Sequence, residues 1–195
     1  MRFLSVVLTL ALALGSPALA AGQGDVGKQP PGTFDYYVLS MSWVPGFCAT
    51  NKSDPGECSK GFGFALHGLW PEFKGGSYPT GCSSVALSAA DEQQFGGIYA
   101  SQSLIEHEWP KHGTCSGLPP AQFFNLSASD FHRVVIPPDY QQPVAIRSAD
   151  AGKLKQALLA ANAGMPASGI RTVANHGVVT EVDICLTKAG GFQSC

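Results

Sequence analysis

Two short segments concentrate groups that can move protons. The richer one is Glu106-His107-Glu108-Trp109-Pro110-Lys111-His112-Gly113-Thr114-Cys115. At about 100° per residue, with His107 as origin, Lys111 falls near 40°, Glu108 near 100° and His112 near 140°. Two imidazoles, a carboxylate and an ammonium therefore share one arc of a helix, while Trp109 and Pro110 point elsewhere. A solvated face rarely gathers histidine in this way. The other segment is Phe64-Ala65-Leu66-His67-Gly68-Leu69-Trp70-Pro71. On a strand, His67 shares its face with the small Gly63 and Ala65, which leave room for another group. Gly68 permits a sharp turn that frees Trp70 from strand alternation. Taken alone, this segment fits a structural histidine beside a core tryptophan before it fits a proton-transfer site.

Metal chelation suits the richer segment poorly. His107 and His112 lie about 140° apart on a helix, so they cannot bind one ion as i, i+4 histidines do. The Lys111 ammonium between them would repel a cation. Neither a metal nor a cofactor is expected. Metal-free chemistry on a phosphodiester suits the same residues better. One imidazole, with an ordinary pKa near 6.5, can take a proton from a hydroxyl while a second protonates the leaving oxygen. A lysine and a protonated histidine can stabilise the crowded anionic transition state. RNA carries its own nucleophile, the 2′-hydroxyl, and nearby aromatics can stack an unpaired base.

These side chains need a framework. Residues 33–43 and 61–69 read as strands, as does the clean alternation of Val178 to Leu186. Residues 45–60 read as a loop stapled by two cysteines, and Glu72 to Gly81 as a Gly/Tyr/Pro loop. Ser88 with Asp91 is a capping-box pattern opening a helix to about Phe95. Ser103 with Glu106 is another, opening the catalytic-looking helix, which Gly113 can end. Pro110 falls inside that helix, so it either starts late or kinks there. Pro119-Pro120 precedes a helical pattern with Phe124, Phe131 and Val135 on one face, stopped by Pro137. Ser148 can cap a helix through Leu154, Leu158 and Leu159. Strands first, helices in the middle and a strand at the end predict one α+β domain, with no repeat and no linker. His132 and His176 read as structural or solvent-facing.

The chain has 195 residues and a net charge of -2, which excludes a basic protein that coats polyanions but allows a small cationic site. Aromatics at 10% argue against disorder. Arg2, the apolar run Phe3 to Leu14 and Ala18-Leu19-Ala20 form a signal-peptide pattern over residues 1–20, too short in its apolar part to span a bilayer. Residues 21–32 read as a flexible leader. Export to the periplasm or outside makes three disulfides the default for Cys48, Cys58, Cys82, Cys115, Cys185 and Cys195. Six cysteines allow 15 pairings. The simplest is sequential: Cys48–Cys58, Cys82–Cys115 and Cys185–Cys195.

The strings His67-Gly68-Leu69-Trp70-Pro71 and His107-Glu108-Trp109-Pro110-Lys111-His112-Gly113 resemble the two active-site segments of the ribonuclease T2 family, secreted or periplasmic endoribonucleases of α+β fold. The likeness extends to Phe34-Asp35-Tyr36-Tyr37-Val38-Leu39, Gly76-Ser77-Tyr78-Pro79 and Glu181-Val182-Asp183-Ile184-Cys185. It implies a ribonuclease T2-like catalytic domain over 33–195, built on a mostly antiparallel sheet packed with helices. His67 is then the general acid toward the leaving 5′-oxygen and His112 the general base on the 2′-hydroxyl. Glu108 and Lys111 stabilise the pentacovalent transition state, His107 binds phosphate, and Trp70 and Tyr78 sandwich a base. Where the family's nearest loops carry aspartate after Pro71, this chain has Glu72, a longer carboxylate near the base edge. The Cys82–Cys115 bridge resembles a family disulfide. The expected partner is single-stranded RNA, cleaved to 2′,3′-cyclic phosphate and then 3′-phosphate ends by a monomer free of the membrane after signal cleavage. Rivals from other classes are a disulfide-stapled binding protein without catalysis and a metal-dependent secreted hydrolase.

Overall fold

The sequence Tyr-Tyr-Val-Leu-Ser-Met-Ser-Trp forms β1 (Tyr36–Trp43), all eight residues buried. It is the second strand of a four-stranded antiparallel sheet in a computed structural model that describes residues 24–51, 55–142 and 148–195. The expected signal segment 1–20 lies outside the described residues. The strand order is β2 (Phe64–Glu72), β1, β4 (Val178–Leu186), β3 (Ile170–Asn175).

Strand alternation divides β1 between two environments. Tyr37, Leu39, Met41 and Trp43 enter the large core, with Leu66, Leu69, Ile105, Trp109, Phe123, Phe124, Leu154 and Leu158. Each such side chain contributes about 1.5–3 kcal/mol by leaving water. Tyr36, Val38, Ser40 and Ser42 face the other way. Across the ladders they meet Glu72, Trp70 and Gly68 on β2, and Cys185, Asp183 and Glu181 on β4. Arg171 on β3 pairs with Asp183. One sheet face is thus apolar and covered by helices, and the opposite face gathers polar and charged groups.

Six α-helices are described: α1 (Val44–Thr50), α2 (Pro55–Cys58), α3 (Ala89–Phe95), α4 (Gln102–Lys111), α5 (Pro120–Arg133) and α6 (Ala151–Ala161). Ser88 and Asp91 make the expected capping box on α3. The expected box at Ser103 is corrected: α4 starts after Ser101, with no side-chain cap. Asp150, not Ser148, caps α6 by accepting from the Lys153 amide. Val135 lies beyond the end of α5 and is exposed. Residues 45–60, read as a loop, hold α2 and all of α1 but its first residue, because Cys48 and Cys58 are bridged and hold short turns that neither run could sustain alone. The other bridges join Cys82 to Cys115 and Cys185 to Cys195.

β3 is an edge strand in which only Ile170 is buried, so it lacks the alternation that betrays a strand. The two-residue turn that joins it to β4 places His176 at φ 48° and Gly177 at φ 80°. Both positions need positive φ, the hairpin geometry that matches strand twist. Among the described residues, no helix is long and apolar enough to cross a membrane.

Candidate active site

His67 owes its position to an irregularity in the ladder. Ser40 pairs with Gly68 but the next residue, Met41, pairs with Leu66, so His67 is the extra residue of a β-bulge. A bulge re-aims a side chain, here toward the polar face. The turn expected at Gly68 does not occur, and β2 runs on to Glu72. Gly68 serves a different need. A Cβ there would overlap Glu108 Oε2 and Trp70 Nε1. Its absence lets the indole N–H donate to Glu108 Oε2 at 2.6 Å.

α4 arrives beside β2, an outer strand of the sheet. Ile105 and Trp109 enter the large core, and the Trp109 indole donates to the Val85 carbonyl at 2.7 Å. Glu108 reaches Trp70 on the polar face. The helix passes through Pro110 and closes with the His112 amide donating to the Glu108 carbonyl at 2.9 Å. A 3₁₀ turn over Gly113–Cys115 follows. Cys115 is bridged to Cys82, and the Gly81 amide donates to the Lys111 carbonyl at 3.0 Å, tying the loop after β2 to the end of the helix.

A cleft of about 300 Å³ results, lined by His67, Trp70, Glu72, Tyr78, His107, Glu108, Lys111 and His112, together with Arg171 and Asp183. Every site residue singled out in the sequence lines it. Both histidine rings contact the same indole: His67 and Trp70 are 5.1 Å apart between centroids, Trp70 and His112 5.3 Å. The Tyr78 and His112 ring centroids lie 6.0 Å apart. Residues 24–32, read as leader, pair with the Tyr78 loop. The Val26 amide donates to Tyr78 O at 3.0 Å, and Thr80 Oγ1 donates to Asp25 Oδ1 at 2.8 Å.

The two imidazoles sit in opposite electrostatic surroundings. His112 is buried, and desolvation, reinforced by the Lys111, His107 and His67 charges, pushes its pKa down to about 3. Its Nδ1 is closed off from solvent without a partner, so Nε2 is the nitrogen open to proton exchange. His67 Nδ1 lies 2.5 Å from Glu181 Oε2, and His67 Nε2 lies 3.8 Å from Glu108 Oε1. Burial pulls its pKa down, but the hydrogen bond and charge of Glu181, with the charge of Glu108, outweigh that and raise it. Glu181 falls below the usual carboxylate range, because its bond to His67 outweighs its own desolvation. Burial lifts Glu108 to about 7, against the pull of His67, Trp70 and Lys111. His107 is exposed on the cleft, and partial desolvation, then Lys111 and His67, lower its pKa. One group is thus set to hold a proton, one to lack it, and a third to carry either form.

Glu72, expected at a base edge, is mostly committed within the protein. Tyr36 Oη donates to its Oε2 at 2.8 Å, and Arg171 Nη2 lies 3.7 Å from its Oε1. Sequence reasoning assigned no role to Glu181, Asp183 or Arg171. Glu181 and Asp183 stand in the Glu-Val-Asp segment of β4, where two carboxylates alternate on one face of an otherwise apolar strand, and that pattern was the available signal. Arg171 had none, because its own strand was not legible.

The model of the Ribonuclease T2 family matches residues 34–195. The chain belongs to the ribonuclease T2 family. A ribonuclease of Aeromonas hydrophila is 37% identical over 206 residues, covering 97% of this chain and 86% of that protein. Among solved structures, the RNase-related protein from Calystegia sepium superposes with a TM-score of 0.67 at 20% identity, over 83% of this chain and 90% of its own. A mutant of RNase MC1 in complex with 5′-UMP, an enzyme found in bitter gourd seeds, gives 0.62 at 25% identity, over 83% and 93%. The single α+β domain is the fold of these ribonucleases, and the chain is an endoribonuclease.

Proposed function

We propose that this ribonuclease cleaves single-stranded RNA without a metal, by transesterification in the cleft between β2 and α4. His112 Nε2 takes the proton of the 2′-hydroxyl, and the 2′-oxygen attacks the adjacent phosphorus. His67 Nε2–H gives its proton to the departing 5′-oxygen, leaving a 2′,3′-cyclic phosphate and a 5′-hydroxyl. Glu108 and Lys111 meet the charge that builds on the phosphorane oxygens, Glu108 as a hydrogen-bond donor when protonated. His107 binds phosphate at the mouth. Trp70 and Tyr78 are the aromatic walls for a base, with Glu72 behind its edge. Reversing the two histidine roles with water as nucleophile opens the ring to a 3′-phosphate. The nucleotide bound to RNase MC1 supports RNA as the substrate.

The observation that carries this reading is the opposed tuning of two imidazoles beside one indole, His67 raised by Glu181 and His112 stripped of charge by burial. Digesting RNA in excess EDTA and identifying the new ends tests it. Full activity with 2′,3′-cyclic phosphate ends is expected. Activity abolished by EDTA, or 5′-phosphate ends, would show a different reaction. Intact RNA would point to a binding protein.

Residues 1–20 are proposed to direct export and to be removed, which suits a domain with three disulfides. The mature enzyme is then periplasmic or extracellular, and monomeric.

Glu181 is proposed as the positioning residue that keeps His67 protonated and fixes its ring. Glu181→Gln keeps an acceptor but removes the charge that raises the His67 pKa. The alkaline limb of kcat/KM should move to lower pH, with a loss of roughly tenfold near neutrality. A uniform loss with no movement of that limb would leave Glu181 a merely structural role.

A further inference from the structure

Tyr78 walls the cleft from a segment that does little to fix it. The turn before it closes on itself, the Phe73 amide donating to the Ser77 carbonyl at 2.8 Å, and stops short of Tyr78. Both backbone polar groups of Tyr78 are spent instead on residues that precede β1. Its amide donates to the Gly24 carbonyl at 3.1 Å, and its carbonyl accepts from the Val26 amide at 3.0 Å. Two residues on, the Thr80 amide donates to the Gly27 carbonyl at 3.1 Å. Asp25 bridges Tyr78 in parallel register, so residues 24–27 run beside 78–80 as a short strand pair. Two short strands alone pair only marginally in water, which makes any side-chain link between them count.

One carboxylate oxygen supplies that link. Asp25 Oδ1 accepts from the Gly27 amide at 2.7 Å and from Thr80 Oγ1 at 2.8 Å. The first bond closes a turn in its own strand, and the second reaches across to the Tyr78 segment. Together they hold the Asp25 carboxyl below the usual carboxylate range, so the acceptor is ionised and its bonds are the stronger kind. A stacking wall binds best when its ring is fixed before the base arrives, because ordering it on binding costs affinity. We infer that Asp25 is a positioning residue for the base site, clamping the segment before β1 to Thr80 and so fixing the Tyr78 ring. This rests on the proposed role of Tyr78 as a wall for a base. Asp25 also feels the Lys111 and His112 charges, so its test must separate clamp from charge.

That test is a double-variant cycle on the mature enzyme, with KM and kcat read on one dinucleoside monophosphate. Tyr78→Ala should raise KM about tenfold, the share of one base stack. Asp25→Ala should raise KM about fivefold and leave kcat within about twofold, since it loses a hydrogen-bond acceptor and no reacting group. Added to Tyr78→Ala, it should cost less than about twofold more, because no ring remains to be positioned. Asp25→Asn keeps an acceptor oxygen without the charge and should stay within about twofold of wild type. An unchanged KM for Asp25→Ala, or an equal rise with and without the Tyr78 ring, overturns the inference. So does a fall in kcat alone. So does an Asp25→Asn enzyme as impaired as Asp25→Ala, which would make the charge near Lys111 and His112 the cause. A wild-type KM for Tyr78→Ala would refute the base-wall reading instead, so the two failures are distinguishable.

Discussion

Replacing either His67 or His112 with alanine should lower kcat/KM on RNA by roughly 10²–10⁴-fold, the usual share of a positioned general acid or base. The two losses should differ in pH dependence. His112 is neutral over most of the working range, its pKa being about 3, so the acidic limb of the wild-type profile should lie well below the ordinary histidine value. His67 must hold its proton, and its raised pKa carries the alkaline limb above that value. The His67→Ala enzyme should lose the fall set by that imidazole and keep only the fall set by ionisation of Glu108, while the His112→Ala enzyme should lack the acidic limb. The fold should survive both changes. His67 is an extra residue in a bulge with its side chain 31% exposed, and His112 forms no side-chain hydrogen bond among the described residues. Circular dichroism with single-turnover cleavage checks this. If either folded variant keeps more than about a tenth of wild-type activity, its role in proton transfer is wrong.

Removing the Cys82–Cys115 bridge, as Cys82→Ala with Cys115→Ala, should cost about 3–4 kcal/mol in urea unfolding. Its 33-residue separation closes a longer loop than the 10-residue separations of the other two bridges. By chain entropy it constrains the unfolded chain by about 1 kcal/mol more than either of them. Both sulfurs are buried, so truncation also leaves unfilled space. Activity should fall further than stability alone explains. The bridge joins the loop carrying Tyr78 to the turn just after His112, and beside it the Gly32 amide donates to the Cys115 carbonyl at 2.9 Å. A loss under about 1 kcal/mol would show that backbone pairing alone holds this corner.

The sequence by itself determined the cast and the main elements. Helical periodicity put His107, Glu108, Lys111 and His112 on one arc, and that arc borders the cleft. β1, β4 and the capping box of α3 were legible because their signals are local: alternation, and two side chains closing on a few backbone amides. Sequential cysteine pairing is also what the structure contains.

Tertiary structure decided everything that depends on which strands are neighbours. The bulge at His67 exists only against β1, since a bulge is a mismatch between two strands and has no single-strand signature. Gly68 reads in sequence as a turn residue, yet its purpose is the space it leaves for Glu108 and Trp70, which meet across 38 positions of chain. β3 is an exposed edge with almost no buried face, so its register on β4 alone brings Arg171 to the cleft. Glu181 lies 114 positions from His67, and only the antiparallel sheet brings the two within 2.5 Å. The protonation states that make one histidine an acid and the other a base come from burial and from charges that converge in space. Residue type supplies an imidazole that titrates near neutrality, and the surroundings move it in either direction.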